Sequence, residues 1–234
     1  MRPQFRVLRP KVSLKKKPKP CSGKPSRHPV LIAASVGSYG AYLADGSEYC
    51  GNYGDAVTLE TLKDFHRERV QILANSGADL IAFETTPNKL EAKAYAELLE
   101  EVAIDIPAWF TFASKDGINV VSGDSIFECA SIANACKQVV AVGINCTPPS
   151  YIQGFISSIR KVTSKPIVIY PNRGRETYDG QSKQWIWAVD EEFSEIVIEK
   201  WRAAGASLFG GCCGTTPNTI RAISKALSNK SSTM

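Results

Sequence analysis

The chain has no Asp or Glu in its first 28 residues, no long apolar run, no Cys-x-x-Cys pair and no glycine-rich phosphate fingerprint. Each absence removes a class of protein. Crossing a bilayer takes about 18 uninterrupted apolar residues, so no membrane partner is expected. A secretory leader needs an apolar core of about 7–15 residues near the N-terminus, and none is present. Gly37-Ser38-Tyr39-Gly40 lacks the spacing that cradles a dinucleotide phosphate, which argues against a nucleotide-binding doubly wound sheet. Seven cysteines, an odd number, with no leader, argue against a disulfide framework and for a reducing, cytoplasmic setting.

What is present divides the chain in two. Residues 1–28 hold ten basic residues and five prolines, a composition that cannot bury enough apolar surface to fold, so a disordered basic arm is expected there. The remaining residues carry 18 basic against 23 acidic side chains, so the overall +5 is a property of the arm and not of the body. No nucleic-acid partner is expected, and a solvated tail is the reading adopted for the arm.

From Pro29 on, short runs rich in Val, Ile and Phe alternate with segments of helical period. Six strands are predicted, at Val30–Ser35, Leu80–Glu84, Ala108–Ala113, Val139–Ile144, Ile167–Tyr170 and Ser207–Gly210. The helices between them are predicted at Thr58–Asn75, Pro87–Val102, Ser125–Cys136, Pro149–Val162, Glu191–Ala203 and Pro217–Leu227. In the first helix Leu59, Leu62, Phe65, Val70 and Leu73 share a face, leaving Lys63, Asp64, Arg67 and Glu68 for water. Non-alternating strands joined through helices imply a parallel sheet covered on both sides, and of the two such architectures the (β/α) barrel is preferred.

Three strand-to-helix junctions share a pattern, in Phe83-Glu84-Thr85-Thr86-Pro87, Asn145-Cys146-Thr147-Pro148 and Cys212-Cys213-Gly214-Thr215-Thr216-Pro217. Thr before Pro predicts a capping hydroxyl followed by the first helical residue. Cys146, Cys212 and Cys213 thus fall at strand ends on the rim where barrels place their chemistry. Three such thiolates suffice to hold Zn²⁺ with one tetrahedral position open; buried inert thiols and a redox pair are the alternatives at this point. Both members of an adjacent pair can ligate one ion only if the backbone turns, for which Gly210, Gly211 and Gly214 are available. Cys129 and Cys136, in one amphipathic helix, read as small buried hydrophobes.

Val142-Gly143-Ile144-Asn145-Cys146-Thr147-Pro148 and Gly210-Gly211-Cys212-Cys213-Gly214-Thr215-Thr216-Pro217 resemble the two zinc-ligand segments of the homocysteine S-methyltransferases. The likeness continues through Ala33–Leu43, Phe83–Lys89 and Tyr170-Pro171-Asn172 and covers about residues 29 to 228, nearest to the plant enzymes that use S-methylmethionine. The resemblance implies an α/β fold of the TIM-type (β/α)₈ kind, with Cys146, Cys212 and Cys213 as zinc ligands and the homocysteine thiol in the open position. It further implies methyl transfer from S-methylmethionine or S-adenosylmethionine to give methionine, with Glu84 binding the homocysteine ammonium and Asn172 lining the pocket.

The family barrel has eight strands and an Asp-Gly-Gly motif on the first; six units and no such motif are found here. The strand at Val30 corresponds to the family's third. An incomplete, N-terminally truncated barrel domain over 29–230 is therefore expected, behind the 1–28 arm. Such an arc has two unpaired sheet edges, through which an otherwise monomeric chain would associate. The alternative to an active methyltransferase is a truncated form that binds zinc or a partner subunit without turnover. Asn172-Arg173-Gly174-Arg175-Glu176 also departs from the family's Asn-Ser-Gly-Glu by one inserted residue.

Overall fold

Six strands form one parallel sheet in the order β1-β2-β3-β4-β5-β8: β1 Ala33–Val36, β2 Leu80–Thr86, β3 Ala108–Phe112, β4 Val139–Asn145, β5 Ile167–Tyr170 and β8 Ala206–Phe209. A computed structural model supplies these coordinates and describes residues 30–102, 104–174, 176–179, 184–187 and 193–228. The basic segment 1–28, Arg175 and Glu191 lie outside the described residues. Helices α2 Leu59–Ala74, α3 Lys89–Glu101, α4 Ile126–Ala135, α5 Pro149–Arg160, α6 Glu195–Ala204 and α7 Pro217–Ser228 alternate with the strands. The result is the parallel α/β arrangement that the apolar strand pattern predicts, in the incomplete TIM-type arc that the family resemblance implies. Among the described residues, β1 and β8 pair on one side only.

The core is deepest at the middle of the arc. Phe83, Tyr95 and Phe110 are fully buried, with ring centroids 4.4 Å apart for Phe83–Tyr95 and 5.1 Å for Phe83–Phe110. On β4 Gly143 is required by close approach, because a Cβ there would lie 1.7 Å from the Val168 carbonyl oxygen on β5. The edge strands are thinner: on β1 only Ala34 and Val36 are buried, and Leu208 on β8 is exposed.

Several local expectations are corrected. Strand β1 begins at Ala33, not Val30; Val30, Leu31 and Ile32 are exposed, and the Ile32 backbone instead pairs with Asp79, whose carboxylate accepts its N–H at 2.8 Å. Lys63 does not face water. It is buried on α2, its ammonium held by Glu60 at 3.0 Å, Glu97 at 3.3 Å and Glu101 at 2.5 Å, so a charge on the nominally polar face is buried with its partners. Helix α6 starts later than expected, where Ser194 caps the Val197 N–H. Three elements had no periodic signal: the five-residue helix α1 Tyr39–Leu43, a 3-10 turn at Ser47–Tyr49, and an antiparallel pair β6 Glu176–Asp179 and β7 Gln184–Trp187. That pair begins at Glu176, the last residue of the Asn172–Glu176 segment that departs from the family.

The Thr-Pro junctions also behave differently from a simple cap. Helix α3 is capped by Asn88, which accepts from the Glu91 N–H at 2.7 Å, while the Thr86 hydroxyl is buried with no hydrogen-bond partner among the described residues. At α5, Thr147 accepts from the Ser114 N–H at 3.0 Å and donates to the Asn145 carbonyl at 2.9 Å. Neither hydroxyl caps its helix. No helix among the described residues is long and apolar enough to cross a membrane.

Candidate metal centre

Parallel strands all deliver their C-terminal ends to one rim, and each chemically distinctive residue here sits at such an end. Cys146 follows β4 directly. Its φ is 47°, a left-handed conformation that redirects its side chain from the course of the strand. Cys212 and Cys213 follow β8 in a tight turn, where the Thr215 N–H and hydroxyl both donate to the Cys212 carbonyl, at 3.2 and 2.7 Å. The turn needs a positive φ at its third residue, which Gly214 supplies at 71°; Gly210 and Gly211 do not use that conformation. The turn points both adjacent cysteines the same way.

The structure brings the three sulfurs together. Cys146 Sγ is 2.8 Å from Cys212 Sγ and 3.9 Å from Cys213 Sγ, and Cys212 and Cys213 are 3.9 Å apart. Among the described residues these are the side chains that cluster as potential metal ligands, all within 4.8 Å. The Cys146 and Cys213 thiols point at Cys212 and hold its thiol far below the usual range, at about 3. The same contact with Cys212 pushes Cys146 strongly up. A soft cation is what would let all three ionise together. The other cysteines differ: burial pushes Cys129 up to about 12 and raises Cys136 as well, the behaviour of inert core thiols. Cys50 is exposed.

Glu84 lies near the end of β2, partly buried. Its Oε1 accepts a short hydrogen bond from the Ser35 hydroxyl on β1, and its Oε2 accepts from Tyr170 on β5 at 3.0 Å. Tyr170 is tied in turn to Thr111, 2.7 Å away, and accepts from Trp109 Nε1 at 3.3 Å. Burial first, and the Glu84 charge second, raise the Tyr170 phenol well above its usual range, so it stays a donor. Ser35, Tyr170, Thr111 and Trp109 were not singled out from the sequence. The alternating residues of a strand give no sign of which neighbours they will meet across a curved sheet.

Asn172 is buried, and its neighbours in the chain pair with the backbone of the Cys212-Cys213 turn. Its N–H donates to the Thr147 carbonyl at 3.1 Å, while the next residue's N–H donates to the Cys213 carbonyl at 2.9 Å. Its Oδ1 is buried with no hydrogen-bond partner among the described residues, as is the Thr86 hydroxyl. Buried polar atoms left unpaired cost about 1–3 kcal/mol each, a cost that a bound polar ligand would remove.

A rim of parallel-strand ends with three converging thiols and a tethered carboxylate is an arrangement that could hold a metal ion. Comparison with known proteins gives the family. The sequence profile of the homocysteine S-methyltransferases matches residues 8–227, and the chain belongs to that family. It is 68% identical to homocysteine S-methyltransferase 3 of Arabidopsis thaliana over 90% of this chain and 61% of that one. It is 65% identical to a selenocysteine Se-methyltransferase of Brassica oleracea var. italica, over 88% and 60%. The crystal structure of the homocysteine methyltransferase MmuM from Escherichia coli in its metallated form superposes with a TM-score of 0.71 at 38% identity, over 84% of this chain and 61% of that one. The chain therefore spans about three fifths of the length of these relatives.

Proposed function

We propose that this chain is a zinc-dependent methyltransferase that moves a methyl group from S-methylmethionine, or S-adenosylmethionine, to homocysteine and forms methionine. The observation that carries the reading is the convergence of Cys146, Cys212 and Cys213 at one rim. Four sulfurs each about 2.3 Å from one zinc lie roughly 3.8 Å apart. Two of the three separations, both 3.9 Å, already suit that arrangement, and the 2.8 Å pair would have to open by about 1 Å around an ion. The donor set, all thiolate with one position left over, fits zinc with a soft fourth ligand.

Zinc in this site would hold the homocysteine sulfur as a thiolate at neutral pH, since a free thiol ionises only near pH 8.5. The residues of the chain do the rest. Glu84, oriented by Ser35 and Tyr170, meets the homocysteine ammonium with the lone pairs those two donors leave over. Asn172 Oδ1 and the Thr86 hydroxyl, without partners among the described residues, could meet the remaining polar atoms of the substrates, the first as an acceptor and the second as either donor or acceptor. The substrate sulfur attacks the sulfonium methyl in line, the carbon–sulfur bond to the donor breaks, and its electron pair leaves on a neutral thioether. No proton is needed by such a leaving group.

The test is an assay of the zinc-replete protein with homocysteine and S-methylmethionine, run beside S-adenosylmethionine. Methionine formation is expected. Stoichiometric zinc with no methionine from either donor would overturn the proposal and favour the reading of a zinc-binding chain without turnover. Two relatives are named for selenocysteine, so selenocysteine belongs in the same assay as a second acceptor.

A further inference from the structure

Two non-glycine residues at this rim share a left-handed backbone, Thr85 at φ 60° and Cys146 at φ 47°, and each follows a residue of interest, Glu84 and Asn145. For a β-branched residue that conformation is a genuine outlier, costing on the order of 1–3 kcal/mol, and it persists only where its surroundings hold it. The hold on Thr85 is visible. Asn145 Oδ1 accepts from the Thr85 N–H at 2.8 Å, and Asn145 Nδ2 donates to the Thr85 hydroxyl at 2.7 Å. Asn145 is itself buried, at 1% exposure, and belongs to β4, whereas Thr85 belongs to β2; the amide reaches past the intervening strand β3.

We infer that Asn145 is a positioning residue that clamps the Glu84-Thr85 end of β2 to the Cys146 end of β4, fixing the substrate-binding carboxylate relative to the thiolate cluster. It acts through Thr85 and touches no substrate. The inference rests on the reading of Glu84 as the ammonium-binding group. Cys146 has an independent anchor, because Thr147 is fastened to both the Asn145 carbonyl and the Ser114 N–H. Loss of the clamp therefore moves Glu84 and leaves the metal ligands in place. An amide suits this task better than a carboxylate, since it donates and accepts at once and adds no charge beside Glu84 and three thiolates.

The test compares the full chain with Asn145→Ala and with Asn145→Ala/Thr85→Gly, all zinc-loaded, by three readouts. These are the homocysteine dissociation constant, the zinc dissociation constant against a chromophoric chelator, and hydrogen exchange at the Thr85 amide. Asn145→Ala is expected to expose the Thr85 amide to exchange, weaken homocysteine at least tenfold and change zinc affinity less than threefold. Glycine takes the left-handed conformation freely, so the double variant is expected to recover homocysteine binding to within about threefold of wild type. Retained protection at Thr85, a parallel loss of zinc, or no recovery in the double variant would overturn the inference. If the wild-type chain binds zinc but not homocysteine, the proposed function fails. Exchange at Thr85 with zinc affinity then decides the clamp alone: protection lost at constant zinc affinity upholds it, and protection kept overturns it. Should Asn145→Ala not fold, Thr85→Ala removes just the hydroxyl partner; faster exchange at residue 85 is expected, and unchanged exchange overturns the clamp.

Discussion

Two glutamates flank the junction that follows β2, and their surroundings could hardly differ more. Glu91, in the first turn of α3, has no exposed side-chain surface. Its Oε1 accepts from the Tyr39 N–H at 2.6 Å and from Tyr95 at 3.0 Å, and lies 2.8 Å from His66 Nε2; its Oε2 accepts from Tyr53 at 2.5 Å. Those donors come from α1, the loop behind it, α2 and α3 itself, so one carboxylate fastens the β1–α2 connection to the outer helices. Glu84 has one protein donor on each oxygen and partial exposure. A carboxylate whose lone pairs are filled by its own protein is a structural part. One that is oriented but left with lone pairs at a rim is equipped to bind something.

The sharpest way to break this comparison is to remove each in turn. Glu91→Ala strands two buried partners, His66 and Tyr95, and two half-buried ones, Tyr39 and Tyr53, and an unfolding free energy lower by at least about 3 kcal/mol is expected, seen as a midpoint roughly 6–12 °C lower in a thermal melt. A melt within 2 °C of wild type would mean that the network carries no stability. Glu84→Gln keeps the shape and both neighbours but loses the charge. Stability should stay within about 1 kcal/mol, and zinc should stay bound. The homocysteine KM should rise about ten- to a hundredfold, the worth of a charge-assisted hydrogen bond. Tyr170→Phe withdraws one donor from Glu84 and should raise the same KM about three- to tenfold with kcat little changed. Ser35→Ala, on the partly exposed edge strand, should act in the same direction by less than threefold. If the Ser35 variant outweighed the Tyr170 variant, the ordering of the two tethers would be reversed.

The sequence carried the architecture because apolar runs of four to seven residues, spaced by capped helices, leave little choice besides a parallel sheet. It also carried the convergence of three sulfurs, since strand ends in such a sheet share a rim. What it did not carry depends on side chains meeting across the arc. Asn145 reads as one residue before a cysteine until β2 brings Thr85 to it, 60 positions away in sequence. Lys63 reads as a solvent-facing lysine until α3 brings Glu97 and Glu101 against it. Thr86 and Thr147 read as caps because Thr-Pro begins many helices, yet Asn88 caps α3 and Thr147 is spent on Ser114. The pair β6–β7 follows no apolar alternation and was invisible for that reason.

The central claim is that Cys146, Cys212 and Cys213 hold zinc with a place kept for the substrate sulfur. X-ray absorption at the zinc edge, recorded on the loaded chain before and after homocysteine is added, addresses it directly. Three sulfur neighbours and one lighter atom near zinc should become four sulfurs at about 2.3 Å on addition. Four sulfurs before any homocysteine, or three unchanged after it, would contradict the account.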